Sequence, residues 1–259
     1  MTARILIKIG GRAFEGEAGF RDLAAAINSE RNLEIIIVHG GGVEISQALK
    51  DAGRETTFMD GIRVTRAEDI KIVEDVLSGT INRRIASWLG SNGVPCKRLS
   101  GKTRRLFLVE PLARGGQDLG FVGKIKNVNP GVVLDTLAEG HVPVISPISA
   151  NEAGESYNVN ADSAAAALAA AAYCTDLVFI TDVPGVMADN EIRPSLSVRE
   201  AQALIAGGTI KGGMVAKMES AFEALNQGVP RVHIIQWQGP DTLHAIIDKE
   251  SVPGTIIRP

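Results

Sequence analysis

A lysine at position 8 interrupts a run that is otherwise aliphatic, Ile5, Leu6, Ile7 and Ile9, and the chain then enters Gly10 and Gly11. An unpaired ammonium within a strand core is strongly unfavourable, so Lys8 requires an anionic partner. Glycines lack Cβ atoms and let backbone N–H groups approach that same anion. A strand-end lysine snorkelling to solvent is the plainer alternative. A second such feature is His39-Gly40-Gly41-Gly42, which joins the aliphatic run 33–38 to a helix beginning near Val43. Strand, glycines and helix N-terminus together make an anion cradle. His39 reads as a structural residue, because no nearby carboxylate pattern would orient it as a base.

Three further segments carry unusual polarity. Asn158-Val159-Asn160-Ala161-Asp162 precedes an alanine-rich helix, 161–172, with Asp162 placed to interact with the helix N-terminus. Simple capping accounts for one of these polar groups, not for three. The loop 207–217 is glycine-rich and places Lys217 in the first turns of a helix. A cation there opposes the helix dipole by about 0.3–1 kcal/mol, a placement that a bound polyanion would favour. Asp182-Val183-Pro184-Gly185 follows a buried strand, at the end where α/β proteins place ligands. Arg63, in Gly61-Ile62-Arg63-Val64-Thr65, is the candidate to grip a carboxylate with its guanidinium fork, although pairing with a surface acid would serve it equally well.

Two familiar nucleotide motifs fail. Gly101-Lys102-Thr103 resembles the end of a P-loop, but Cys96 stands where its first glycine should fall. Gly40-x-Gly42 opens a dinucleotide fingerprint, yet Ile45 occupies the closing small position, and the strand before it is the second of the chain.

The elements that must hold these residues alternate. Buried strands are expected at 4–9, 33–38, 142–145, 177–181 and 232–235, with a last one at 255–257. Helices are expected around 20–27, 43–50, 67–89, 132–138, 161–172, 198–205 and 215–225. A hairpin spans 56–64, and 106–109 pairs with 121–125 as antiparallel strands. This order predicts an α/β protein, a three-layer αβα sandwich with a mostly parallel central sheet. Residues 1–259 read as one domain, with lobes of about 1–150 and 151–259.

Composition narrows the function. Lys and Arg total 27 against 30 Asp and Glu, so no overall basic field is available for nucleic acid or an anionic membrane. The longest apolar run is too short to span a bilayer. Cys96 and Cys174 lack disulfide or zinc spacing, and the first residues lack a signal-peptide pattern, so a cytoplasmic protein is expected.

Taken in order, Lys8-x-Gly10-Gly11, His39-Gly40-Gly41-Gly42, Gly61-x-Arg63-Val64-Thr65, Asn158-Val159-Asn160-Ala161-Asp162, Thr181-Asp182-Val183-x-Gly185 and Gly212-Gly213-Met214-x-x-Lys217 resemble the amino acid kinase family over essentially the whole chain. Within that family, the resemblance is strongest to members that phosphorylate N-acetyl-L-glutamate. It implies transfer of phosphate from ATP to the side-chain carboxylate, giving an acyl phosphate for arginine biosynthesis. Lys8 and Lys217 would stabilise the moving phosphoryl group and Asp162 would hold both lysines. Gly41, Gly42, Arg63 and Asn158 would line the N-acetylglutamate site. Gly10, Gly11, Thr181, Asp182, Val183, Pro184, Gly185, Val186, Met187, Thr209, Ile210, Lys211 and Gly212 would lie along ATP, with Gly11 and Gly41 offering N–H groups to phosphoryl oxygens. Mg2+ is expected on the ATP phosphates, with no protein metal site. A homodimer without strong arginine feedback is expected, since arginine-inhibited relatives carry an additional N-terminal helix.

Arg12, Arg66, Lys211 and the 102–105 turn depart from the usual pattern and bear on finer substrate preference. Two other readings are a kinase of the same fold acting on an aminoadipate derivative, carbamate, aspartate or a nucleotide, and a non-catalytic metabolite sensor. The 158–162 segment favours N-acetylglutamate over the first, and retention of both lysines argues against the second.

Overall fold

Hydrophobic alternation in the first two strands sets the layers. The computed structural model describes residues 3–10, 14, 16–30, 32–248 and 254–259. Strand β1 (Ala3–Ile9) is followed by helix α1 (Glu17–Ser29), β2 (Leu33–His39) and α2 (Gly42–Asp51). In β1 and β2, Ile5, Ile7, Ile9, Ile35 and Ile37 face one core, while Leu6, Ile36 and Val38 face another. A period of two puts successive side chains on opposite faces, so Lys8 shares its face with Leu6.

A short hairpin, β3 (Phe58–Met59) and β4 (Ile62–Arg63), leads into a helix that runs from α3 (Ile70–Glu74) through a π-helical turn at Asp75–Ile81 to α4 (Asn82–Ser91). The sequence places its start at 67. In the structure the N–H groups of Asp69 and Ile70 instead donate to Arg66 O, and residues 67–69 form a turn. Strand β5 (Cys96–Ser100), which the sequence reading omits, precedes the ribbon β6 (Phe107–Arg114) and β7 (Gln117–Val128). Next come α5 (Gly131–Ala138), β8 (Val142–Ser146), β9 (Ile148–Ala150) and β10 (Ser156–Asn158). Strands β9 and β10 were also not anticipated; they close with β6 and β7 into a small four-stranded barrel.

The remainder is α6 (Ala161–Ala171), β11 (Asp176–Thr181), the short strands β12 (Met187–Ala188), β13 (Glu191–Ile192) and β14 (Ser195–Ser197), then α7 (Val198–Ala206), α8 (Gly213–Asn226), β15 (Arg231–Gln236), α9 (Asp241–Asp248) and β16 (Thr255–Arg258). The central sheet has the order β14-β16-β15-β11-β1-β2-β8-β5 and is parallel except where β16 meets β15. Helices cover both faces, as the three-layer expectation requires. Residues of α1, α4 and α9 pack on the Ile5 side, and those of α5, α6, α7 and α8 on the Leu6 side. Ala164, Ala165, Ala166 and Ala169 of α6 are fully buried, and their small side chains let this helix lie close to the sheet and to α8 at once. Order reverses at β1, with β2 on one flank and β11 on the other. Open α/β sheets bind ligands outside the carboxyl ends of their strands at such a reversal.

Candidate active site

Three charged side chains meet above the carboxyl end of β1. Lys8 Nζ lies 2.8 Å from Asp162 Oδ1, and Lys217 Nζ donates to Asp162 Oδ2 at 3.0 Å. Lys8 comes from the sheet, Asp162 from the first turn of α6 and Lys217 from the first turns of α8. The helix cap is Asn160, whose side-chain oxygen accepts from the Asp162 and Ser163 N–H groups at 2.8 and 3.1 Å. Capping therefore accounts for Asn160 alone: it satisfies the helix end and leaves the Asp162 carboxylate, in the first turn, to the lysines. Burial alone would raise the Asp162 carboxyl, but the ammonium groups of Lys8 and Lys217 outweigh it and hold the acid at about 2. Burial holds the Lys217 ammonium below the usual lysine value, with Asp162 opposing. Lys217 also sits 5.0 Å from the ring centre of Phe179. Two cations share the Asp162 carboxylate, and Asp182, just past the end of β11, also acts on Lys217.

Glycines surround this triad for steric reasons. A Cβ on Gly10 would stand 2.8 Å from Lys8 Nζ, so a side chain there would displace the ammonium. A Cβ on Gly41 would meet Ile81 and Leu77 of the π-helical turn at 2.3 and 2.9 Å. Gly212, just before α8, adopts φ 61°, a conformation natural to glycine. Gly11 and Arg12 lie outside the described residues.

A cavity of about 170 Å³ opens beside Lys8 and Asp162, lined by Gly40, Gly41, Gly42, Arg63 and Asn158 among others. All four residues expected around the acidic substrate thus converge, and Val122, Pro147 and Leu77 complete walls that came from unanticipated contacts. Arg63 is buried. It donates to Gly42 O at 2.7 Å, Ser46 Oγ at 2.8 Å and Thr56 Oγ1 at 3.3 Å, and stacks on Phe58. No carboxylate among the described residues pairs with it, and these bonds fix the guanidinium with its charge beside the cavity. Asn158 donates to Thr65 Oγ1 at 3.1 Å.

A second cavity, also about 170 Å³, is lined by Val183, Gly185, Val186, Met187, Thr209, Ile210, Lys211 and Met214. These are seven of the residues expected along the nucleotide, together with Met214 of α8. Thr181 and Asp182 stand at the end of β11, linked by a 3.2 Å hydrogen bond, and Pro184 is exposed; neither Thr181, Asp182 nor Pro184 lines this second cavity.

The rejected Gly101-Lys102-Thr103 is structural. Lys102 pairs with Glu74 and Ser156, both at 2.9 Å, and a Cβ on Gly101 would overlap Ser149 and Phe107.

An open parallel sheet with paired lysines at its reversal point, glycine turns beneath them and a cavity to either side defines a phosphoryl-transfer enzyme acting on small molecules. The chain belongs to the amino acid kinase family, whose sequence profile matches residues 3–236. It is 39% identical over 255 residues to a protein named acetylglutamate kinase from Pseudothermotoga lettingae, covering 98% of this chain and 91% of that one. It is 40% identical over 240 residues to one of the same name from Chloroflexus aurantiacus, covering 92% and 94%. A Streptococcus mutans protein of known structure superposes with a TM-score of 0.82 at 25% identity, over 100% of this chain and 99% of that one. N-acetylglutamate synthase from Neisseria gonorrhoeae shares the fold, with a TM-score of 0.83 at 24% identity over 60% of its own length.

Proposed function

We propose that this chain transfers the terminal phosphoryl group of ATP to the side-chain carboxylate of N-acetyl-L-glutamate, forming an acyl phosphate for arginine biosynthesis. The observation that carries this reading is the convergence of Lys8 and Lys217 on Asp162 at the mouth of the Arg63 cavity. An ionised carboxylate is already a nucleophile, so the transfer needs no strong base; it needs positioning and charge neutralisation. Arg63 and Asn158 would hold the amino-acid end of the substrate, and Gly41 and Gly42 its reacting end. The cavity of Val183, Val186, Met187 and Ile210 would take the nucleoside, with Thr181, Asp182, Pro184 and Gly212 along its flank and Gly10 near the phosphates. The names of the similar proteins support this choice of acid over other acids of the same fold class.

Lys8 and Lys217 would bridge to the phosphoryl oxygens as the group passes from ATP to the carboxylate and negative charge builds up on the leaving oxygen of ADP. In this reading Asp162 serves the two lysines rather than a metal. Among the described residues no group of three or more His, Cys, Asp or Glu side chains could hold one. Mg2+ is proposed to ride on the ATP phosphates, where it would neutralise charge.

In this reading residues up to about 150 form the acid-binding lobe and the rest the nucleotide lobe, the arms of the sheet on either side of β1. The proposed assembly is a homodimer; the exposed residues Asp75, Thr80, Arg83 and Ser87 along the long helix offer a surface for it. Free Cys96 and Cys174 support a reducing cytoplasm, and no helix among the described residues is long and apolar enough to cross a membrane.

A coupled assay of ADP release with N-acetylglutamate, ATP and magnesium tests the proposal. Activity with N-acetylglutamate well above that with N-acetylaspartate, aspartate or carbamate is the expected result. No turnover with N-acetylglutamate beside strong turnover with another acid overturns it.

A further inference from the structure

His39 lies directly before the glycine turn and plays no part in the proposed transfer, yet its ring is 1% exposed and bonded through both nitrogens. Nδ1 is 2.9 Å from Gly40 O, and Nε2 is 3.2 Å from Asn82 Nδ2. Which nitrogen carries the proton follows from the neighbours of Asn82. Its Nδ2 faces Val144 O at 2.9 Å and Leu99 O at 3.3 Å, which only accept, while its Oδ1 faces Arg98 Nε at 3.1 Å, which only donates. The amide cannot flip without opposing all three. Asn82 Nδ2 shares its two hydrogens among three acceptors and cannot itself accept, so Nε2 carries no proton towards it; Gly40 O only accepts, and the single proton of the neutral ring sits on Nδ1. Burial, which outweighs the Gly40 hydrogen bond, lowers the His39 value to about 4, in accord with a neutral ring near pH 7.

The peptide unit converts this bond into a direction. The Gly40 carbonyl and the Gly41 N–H belong to one planar trans peptide, so they point opposite ways. In the β1–β2 register His39 pairs with Ile9 and Val38 with Lys8, so the His39 ring and the Lys8 side chain project from opposite faces of the sheet. A carbonyl drawn towards His39 turns the Gly41 N–H away from the ring, to the side where Lys8 and Asp162 border the cavity. Glycine has the widest choice of backbone conformation, so a turn of three glycines would otherwise hold this amide loosely.

We propose that His39, set in its Nδ1–H tautomer by Asn82 and Arg98, is a positioning residue that aims the Gly41 N–H at the oxygens of the reacting group. This deepens the kinase reading and rests on it for the identity of those oxygens. The hydrogen-bond chain runs Arg98 to Asn82 to His39 to Gly40 O, and its product is one aligned amide donor in the cavity.

Two measurements test it. Nitrogen-15 NMR of the wild-type protein near pH 7 should show His39 protonated at Nδ1 and bare at Nε2; the reverse tautomer, or a charged ring, overturns the proposal without reference to any substrate. The second is a pair of isosteres assayed for ADP release. In His39→Asn the amide nitrogen falls where Nδ1 was, whereas His39→Gln restores a group only at the Nε2 position. Because an oxyanion-type donor contributes about 10²–10³ in kcat, misaiming it in His39→Gln should lower kcat by about 10–100-fold, with the KM for ATP within about twofold. His39→Asn should recover most of that loss. Equal kcat for the wild type and a folded His39→Gln, or equal losses in both variants together with raised KM values, overturns the positioning role. An inactive wild type with the Nδ1–H tautomer would instead be a failure of the substrate reading alone.

Discussion

Two carboxylates, Asp162 half-buried and Asp176 buried, stand at opposite ends of the same sheet, and each is held at about 2 by two basic partners; of the two, Asp162 borders the cavity of Arg63. Asp162 meets Lys8 and Lys217 at the carboxyl end. At the amino end Asp176 takes two bonds from Arg231, at 2.7 and 2.8 Å, and lies 2.7 Å from His233 Nε2. Burial would raise the Asp176 carboxyl as well; hydrogen bonds from His233 and Arg231 overcome it. The partners make the difference. An arginine fork closes both carboxylate oxygens in a fixed plane, whereas lysine ammoniums are point charges with donors to spare. The first arrangement clamps β15 to β11; the second can turn towards a visiting phosphate. Burial and a depressed acid alone do not mark a working site; a neighbouring cavity and partners able to exchange anions do.

The sharpest way to break this comparison is kinetic. Lys217→Ala should lower kcat by about 10²–10³-fold, with a much smaller change in ATP affinity, because the lost charge acts chiefly on the transition state. Asp176→Asn should stay within about twofold of the wild type. Initial-rate measurements of ADP release decide it: a comparable kcat loss in a folded Asp176→Asn would erase the distinction, and parallel loss of kcat and ATP affinity in Lys217→Ala would reduce that lysine to a binding group.

Stability should divide the triads differently. Removing one partner of a buried ionic network costs about 3–5 kcal/mol, so Asp162→Asn and Asp176→Asn should both lower the urea midpoint. Inorganic phosphate at millimolar concentration should restore part of the loss in Asp162→Asn, where an anion can reach the unpaired lysines, and none in Asp176→Asn. Equal rescue of both would show that the amino-end cluster is as open as the other.

Acid should dissect the same network in order. The His39 value is depressed, so its contribution is present above the unfolded value of 6.5 and is lost as pH falls towards 4; at about 1.4 kcal/mol per pH unit, the loss is about 3 kcal/mol. Asp162 and Asp176 are depressed from 3.8, so theirs is intact down to that pH and is lost as pH falls towards 2, about 2 kcal/mol each. Denaturant titrations from pH 7 to 2.5 should show two steps, and His39→Asn should remove the upper one.

The smallest expected effect lies away from both carboxylates, in the turn where Arg104 and Arg105 adopt φ 49° and 55°. Arg105→Gly should raise stability by about 0.5–1 kcal/mol by relieving a left-handed conformation, with kcat unchanged. A fall in the thermal midpoint would show that the arginine itself makes up for the strain.

Much of the site was legible because its parts break local rules. Lys8 in an aliphatic strand, three glycines in succession and a lysine in the first turns of a helix each conflict with their surroundings, and the conflict points to a ligand. The layer order was legible from the alternation of strands and helices. The Asp176 clamp was not, since it exists only through the β11–β15 register, which pairs Asp176 with Arg231. The strands that close the small barrel, three residues each, carry no period long enough to read. Which polar group of the 158–162 segment caps the helix was not legible, because several are good acceptors within one short stretch and only the backbone path singles out Asn160. The Asn82 contact with His39 spans 43 positions and depends on how the π-helical turn sets the helix against the sheet.

The position of β1 at the centre of the sheet has a consequence for synthesis. Strand β1 leaves the ribosome well before β11, so it gains β2 early while its other edge stays open until β11 emerges, and the Lys8 ammonium lacks its Asp162 partner until α6 is made. A nascent chain that already holds the first half of the sheet thus carries a naked edge beside an uncompensated cation, a form prone to pairing with its neighbours. Native order arrives from the far end of the polypeptide, when its later strands enclose its earliest one.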